Sequence, residues 1–372
     1  MDASFPPRYL ETPQPAGSPV ISPRFGSVGP DPPSGARWRD FLGVLLGVAL
    51  LAAAAIFGFV AVIDPWDGLP WSPRLARLPV SSSSPYALPL LARGAQFDGA
   101  IIGNSTSRLL RPAVLGPLVS GRLVNLSFFA ATAHEQMRML GIFLDAHPRP
   151  QDVLIGLDSR WCDPRPQPDY DVTEFPEWLY QAKSWRGYRQ IFTLYALREA
   201  ASQLQAVLGR RPSRHGSDGY TDFDLPPAMS DPALVHAKII AIGAAAAWPD
   251  PAAPASAWQF TTLPLLRAGL GRVPPGTRVL LFFVPFARSY QGAPGSPTEA
   301  YWRECKRRVV AIAAARPGTR VADFDIDSAF TRDEGNFLDA VHYNHGVADR
   351  VAAGVGQAAG GRAGPDHAML LP

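Results

Sequence analysis

Three side chains of the kinds that carry out acyl transfer stand near opposite ends of this chain. Ser105 lies in Phe97-Asp98-Gly99-Ala100-Ile101-Ile102-Gly103-Asn104-Ser105-Thr106-Ser107-Arg108, while Asp339 and His342 share Asp339-Ala340-Val341-His342. A serine hydroxyl is a weak nucleophile until a base takes its proton, and an imidazole oriented by a carboxylate is such a base. A spacing of three residues puts Asp339 and His342 on one short loop or helical turn, where the carboxylate sets the imidazole tautomer. Plainer roles stay open for each: a serine in a Gly turn satisfies backbone groups, and a histidine near a helix terminus is favoured electrostatically. His342, His345 and Asp339 lack a convincing fourth ligand, so no metal site is expected, and no cofactor is called for.

A set split over more than 200 residues needs a scaffold that returns both ends to one place. Five short apolar runs read as strands: 99–103, 123–128, 153–157, 279–284 and 321–324. Segments of helical length separate them, among them 110–118, 134–147 and 299–316, which predicts an α/β fold with a parallel sheet covered on both faces. In open α/β sheets, ligands bind outside the carboxyl ends of the strands. Ser105 follows the first strand directly. The third and fourth strands are more than 100 residues apart, too far for a simple crossover, so an insertion of about 163–270 is expected. It holds an aromatic and acidic region (161–180), helical segments near 188–208 and 232–247, a polar loop at 209–224, and Pro-rich residues up to Pro254. Such an insertion beside the sheet edge suits a lid or substrate wall.

The front of the chain is of a different kind. Residues 1–36 are crowded with Pro, Ser and Gly, and a disordered tail is expected over 1–39. From Phe41 to Ile63 there is no charged residue, and at 1.5 Å per residue this run exceeds the roughly 30 Å hydrocarbon core of a bilayer. It predicts one transmembrane helix over 40–64. A cleaved signal peptide would have a shorter apolar region and a small-residue cleavage site, whereas this run ends in Ile63-Asp64-Pro65-Trp66. Arg24, Arg37 and Arg39 precede the helix and Asp64 and Asp67 follow it, which favours the N-terminus in the cytoplasm and the remainder outside, in the periplasm of a Gram-negative cell. A juxtamembrane linker is expected over 65–94, an α/β domain over 95–358 and a flexible tail over 359–372. The formal net charge is only +3 for 372 residues, and no basic patch interleaved with aromatics occurs, so nucleic acid is not an expected partner. Cys162 and Cys305 are the only cysteines: either they form a disulfide in an oxidising compartment or both are buried free thiols.

The order of the chemistry-bearing residues, with Ser in a Gly-x-Ser turn near the start and Asp-x-x-His near the end, resembles the SGNH or GDSL hydrolase superfamily over roughly 97–351, much of the insertion excluded. The blocks Ile101-Ile102-Gly103-Asn104-Ser105, Asn125-Leu126-Ser127, Ile155-Gly156-Leu157-Asp158 and Phe337-Leu338-Asp339-Ala340-Val341-His342-Tyr343 are similar to those of membrane-anchored members that modify the cell envelope and exopolysaccharides. The resemblance implies a flavodoxin-like three-layer α/β/α domain and an acyl esterase or O-acyltransferase with Ser105 as nucleophile, His342 as base and Asp339 as its orienter. It also implies the Ser105 backbone N–H as one oxyanion donor, with Asn104 or Asn125 supplying another. Arg108, Asp158 and Trp161 are candidates for a substrate wall. The expected partners are a carbohydrate or acylated polymer, the inner membrane through residues 41–63, and a membrane-bound acyl donor. The chain departs from the family where Gly-Asn-Ser replaces Gly-Asp-Ser, where no Gly follows Asn125, and where Asp158 stands in place of an Asn. These departures fit the alternative expectation, a catalytically silent binding or assembly protein of a polysaccharide export system with the same fold.

Overall fold

The computed structural model describes residues 35–171, 175–183, 185–221, 231–245 and 254–372. The tail expected at the N-terminus lies outside these up to residue 34, as do the end of the polar loop and the Pro-rich stretch before Pro254. The chain divides between Ala54 and Ala55 into two units.

Of the first unit, the described residues form the start of helix α1 (Gly35–Ile63). Its large apolar side chains from Phe41 to Leu51 are exposed. The helix is long and apolar enough to cross a membrane.

The second unit is an α/β domain. After the end of α1 come α2 (Ser84–Ala92), β1 (Gly99–Ile102), α3 (Ser105–Arg108), α4 (Pro112–Leu115), β2 (Leu123–Asn125), α5 (Ala133–Ala146) and β3 (Asp152–Leu157). Then follow α6 (Gly187–Ile191), α7 (Leu194–Val207), α8 (Pro232–Ala245), α9 (Leu263–Arg272), β4 (Arg278–Phe283), α10 (Pro297–Ala314), β5 (Thr319–Asp323), α11 (Ala329–Arg332), α12 (Ala348–Ala359) and β6 (Ala368–Leu371). The sheet order is β2-β1-β3-β4-β5-β6, parallel through β5, with β6 antiparallel on the edge. All residues of β1, β2 and β3 are buried, as expected of largely apolar strands in a sheet covered on both faces. The covering helices form two contiguous groups, α2, α5, α9 and α10 in one and α4 and α12 in the other.

Three expectations are corrected. Residues 359–372 do not run off as a tail: β6 pairs Ala368 with Asp323 and Met369 with Ala322 and makes the sheet mixed. Residues 65–94 are not simply a linker, because Trp66, Leu69, Leu88 and Leu91 are buried in the core and α2 packs on α5. Two prolines hid that helix. Pro85 is in its first turn, where proline is tolerated, and Pro89 lacks the N–H that would bond the Pro85 carbonyl; the Tyr180 hydroxyl donates to that carbonyl instead, at 3.0 Å. Finally, the insertion does not reach residue 270, since α9 is the helix leading into β4 and packs on α5. Cys162 and Cys305 form a disulfide with their Cα atoms 5.8 Å apart.

The end of α1 is fastened into this second unit. Asp64 has both carboxylate oxygens accepting from the Gly68 and Leu69 amides at 3.0 Å, and Arg77 Nε donates to the carbonyls of Ile63 and Asp64 at 3.0 and 2.6 Å. Arg77 thereby supplies a donor to carbonyls at the helix C-terminus, which lack intrahelical partners.

Candidate active site

The sheet reverses its winding between β1 and β3, since the chain leaves β1 towards β2 on one side and β3 leads to β4 on the other. The carboxyl ends of these two strands therefore flank a crevice, the place where such sheets bind ligands. β1 delivers Ser105 there and β3 delivers Asp158.

Ser105 is the first residue of α3, a single turn. Asn104 caps it, its side-chain oxygen accepting from the Thr106 amide at 3.1 Å and from the Thr106 hydroxyl at 2.8 Å. The turn sits hard against the sheet: a Cβ on either Gly103 or Gly156 would overlap the Ser107 side chain. Glycine is required at both positions by that close approach.

His342 comes from the loop after α11. The Asp339 carboxylate folds this loop on itself by accepting from the amides of Val341 and His342, both at 2.9 Å. It also faces the ring, with Oδ2 2.9 Å and Oδ1 3.0 Å from His342 Nδ1. An ionised carboxylate only accepts, so Nδ1 carries the proton and Nε2 is left as an acceptor. The Ser105 hydroxyl lies 2.7 Å from Nε2. Burial works against ionising Asp339, but the hydrogen bonds and charge of His342, with the two amides, outweigh it and hold the carboxyl below its ordinary range. Tyr343, the next residue, is fully buried and donates to the Thr106 carbonyl at 2.6 Å.

Ser105 and His342 open into a cavity of about 200 Å³ whose lining includes Asn104, Phe129, Ala130, Asp158 and Phe286. Ala130 has a φ of 56°, a left-handed conformation unusual for a residue with a Cβ. Among the described residues, the backbone N–H groups of Ser105 and Ala130 and the side-chain nitrogen of Asn104 have no hydrogen-bond partner. These are the donors available to an oxygen gaining negative charge beside Ser105. Ala130 has no counterpart in the sequence reading. An alanine gives no sign of that conformation, which glycine, asparagine or aspartate would have signalled.

Asp158 lines the cavity but is engaged elsewhere. Its oxygens accept from the Arg160 amide at 2.7 Å and from Gln136 Nε2 at 3.1 Å, and Gln136 in turn accepts from the Trp161 indole at 3.1 Å. Complete burial pushes its pKa up to about 6 in spite of these bonds.

Three other candidates stand apart from the cavity. Asn125 is fully buried, and its amide nitrogen donates to the carbonyls of Ser107 and Leu110 at 2.9 and 2.8 Å. It secures the end of α3 and has no proton left for an oxyanion. Trp161 is a core residue with no exposed surface, and Arg108, the last residue of α3, is not in the cavity lining. The structure thus brings Ser105, His342, Asp339, Asn104 and Asp158 together and leaves Asn125, Arg108 and Trp161 behind them.

No protein-family model matches this chain, and no curated protein matches it significantly.

Proposed function

We propose that this protein is an SGNH-like serine acyl esterase or O-acyltransferase. The observation that carries the reading is the chain of contacts from Ser105 through His342 to Asp339, within the reach that proton transfer requires. In the reaction, His342 Nε2 takes the hydroxyl proton as Ser105 Oγ attacks the ester carbonyl. The Ser105 and Ala130 amides and Asn104 receive the oxyanion, and the imidazolium, held by Asp339, returns the proton to the departing alcohol. A second hydroxyl, from water or from a sugar, then reverses these steps and frees Ser105.

A 200 Å³ cavity suits a short acyl group such as acetyl. The parallel strand order 2-1-3-4-5 is that of flavodoxin-like sheets, which supports the three-layer reading. The resemblance supplies the polymer, an envelope or secreted polysaccharide. The apolar helix, the arginines before it and the disulfide after it support an anchor in the inner membrane with the catalytic domain outside the cytoplasm. The second reading, a silent binding or assembly protein, is favoured by one observation, the carboxylate of Asp158 in the cavity wall.

The test is labelling of the full-length chain in detergent with a fluorophosphonate probe. Labelling of the wild type, abolished in Ser105→Ala and His342→Ala, is the expected result. A folded wild type that never labels selects the silent reading.

A further inference from the structure

The length of α1 does not match the surface it leaves free. A hydrocarbon core of about 30 Å takes about 20 residues of helix, and counted from Phe41, just after the charged Asp40, that length ends at Val60. Val60 and Ile63, however, are buried in the second unit's core, and the Phe57 ring lies 6.1 Å from Tyr188 and 5.7 Å from Phe192. The run from Phe41 to Ile56 is only about 24 Å long, short of the bilayer's apolar layer. A helix that fills the layer therefore brings the residues packed around Phe57 to the membrane boundary with it.

Those residues suit that place. Trp71 is 75% exposed and Trp185 58%, with their rings 4.5 Å apart, and Trp185 stacks on Tyr188 at 5.1 Å. Phe192 and Leu194 are 58% and 64% exposed. The aromatic contacts thus run without a break from Trp71 to the side of α1. Arg186 and Arg189, in the same stretch, are exposed. Such a band in water would be an unfavourable apolar patch, whereas amphipathic aromatic rings with arginines beside them are what a headgroup layer containing anionic lipid accommodates.

We infer that Trp71, Trp185, Phe192 and Leu194 form a second membrane contact, seated in the interfacial layer of the bilayer that α1 crosses, with Arg186 and Arg189 against anionic headgroups. The inference rests on reading α1 as a membrane span. The occupant of the patch is lipid, and the contact gives the domain two fixed points on the membrane rather than one. It orients the insertion, to which α6 and α7 belong.

The test uses the full-length chain in phosphatidylethanolamine vesicles containing phosphatidylglycerol and a lipid with a nitroxide near its headgroup or, in a parallel set, near the end of an acyl chain. Both native cysteines are in the disulfide, so single labels are placed through Phe192→Cys, Leu50→Cys within α1 and, as a reference, Arg303→Cys on the exposed face of α10. A fluorophore at 192 quenched severalfold more than one at 303, with weaker quenching when phosphatidylglycerol is omitted, is the expected result. Quenching at 50 by the acyl-chain nitroxide, with no more quenching at 192 than at 303 by the headgroup nitroxide, overturns the inference and leaves the span standing; that is also the outcome if a protein covers the patch. Absence of quenching at all three positions overturns both.

Discussion

The Tyr343 hydroxyl donates to the Thr106 carbonyl at 2.6 Å, so the residue after His342 is bonded to the residue after Ser105. The two loops carrying the candidate nucleophile and base are 237 residues apart in sequence, and this bond sets their spacing. Tyr343→Phe keeps the ring but leaves the buried Thr106 carbonyl without that donor, at a cost of about 1–2 kcal/mol in stability. Probe labelling of Ser105 is expected to slow in Tyr343→Phe without disappearing. A variant that loses stability and labels at the wild-type rate would show that Tyr343 has no positioning role.

In the proposed mechanism Asp339 acts through His342, whose Nδ1 it faces at 2.9 Å, and touches no substrate. Asp339→Asn preserves the shape of the loop but offers the ring an amide, which permits the wrong tautomer. The rate of ester hydrolysis is expected to fall by about 10³–10⁴-fold with little change in KM, as in other triads. A loss of less than tenfold in steady-state kinetics would remove Asp339 from the mechanism.

Gly156 is on β3, outside the cavity lining, yet its bare Cα lets the Ser107 side chain seat α3 against the sheet. Gly156→Ala forces that turn outward. The expected outcome is a loss of about 1–3 kcal/mol from overpacking, together with a large drop in Ser105 labelling. Thermal unfolding and labelling measured on the same sample check both, and a folded variant that labels normally would refute the coupling.

Two buried groups give stability opposite pH slopes. Burial, reinforced by the charge of Arg108, lowers the His215 pKa to about 4, while Asp158 is pushed up to about 6. Between about pH 4 and pH 6.5 the unfolded chain protonates His215 and the folded one does not, so stability rises with pH through this term. From the ordinary aspartate range near 3.8 up to about 6, the folded chain keeps a proton on Asp158 that the unfolded chain has lost, so stability falls as pH rises. Each term is of order 3 kcal/mol at full extent, so the two oppose one another, while burial of Asp325, which pushes its pKa up to about 7, adds a second falling term. Relative to the wild type, Asp158→Asn is expected to tilt the melting-temperature profile upward with pH across this range and His215→Gln to tilt it downward. Parallel profiles for the two variants would contradict the assignment.

The five parallel strands were legible because a strand buried on both faces has an apolar centre, as Ile101-Ile102 and Leu280-Leu281-Phe282 show. β6 was not, because four residues in a Gly- and Ala-rich terminus have no pattern of their own; only pairing with β5 makes them a strand. Ser105, Asp339 and His342 stood out by residue type and order. Asn125 and Trp161 were misread for the opposite reason: polar and aromatic side chains near a site look alike in sequence whether they face a substrate or hold the wall behind it. Hydrogen bonding decides the difference. The Asn125 amide is spent on α3 and the Trp161 indole on Gln136.

The outer edge of β2 is met by the loop at 216–220, where the Asp218 carbonyl accepts from the Asn125 amide at 2.8 Å and Gly219, at a φ of 81°, lies so close that a Cβ would overlap the Asn125 carbonyl. An open strand edge is a template for a neighbouring molecule's backbone. Gly219 therefore guards solubility as well as shape: a side chain at this position would lift the loop, uncover the edge and let one copy of the chain recruit another.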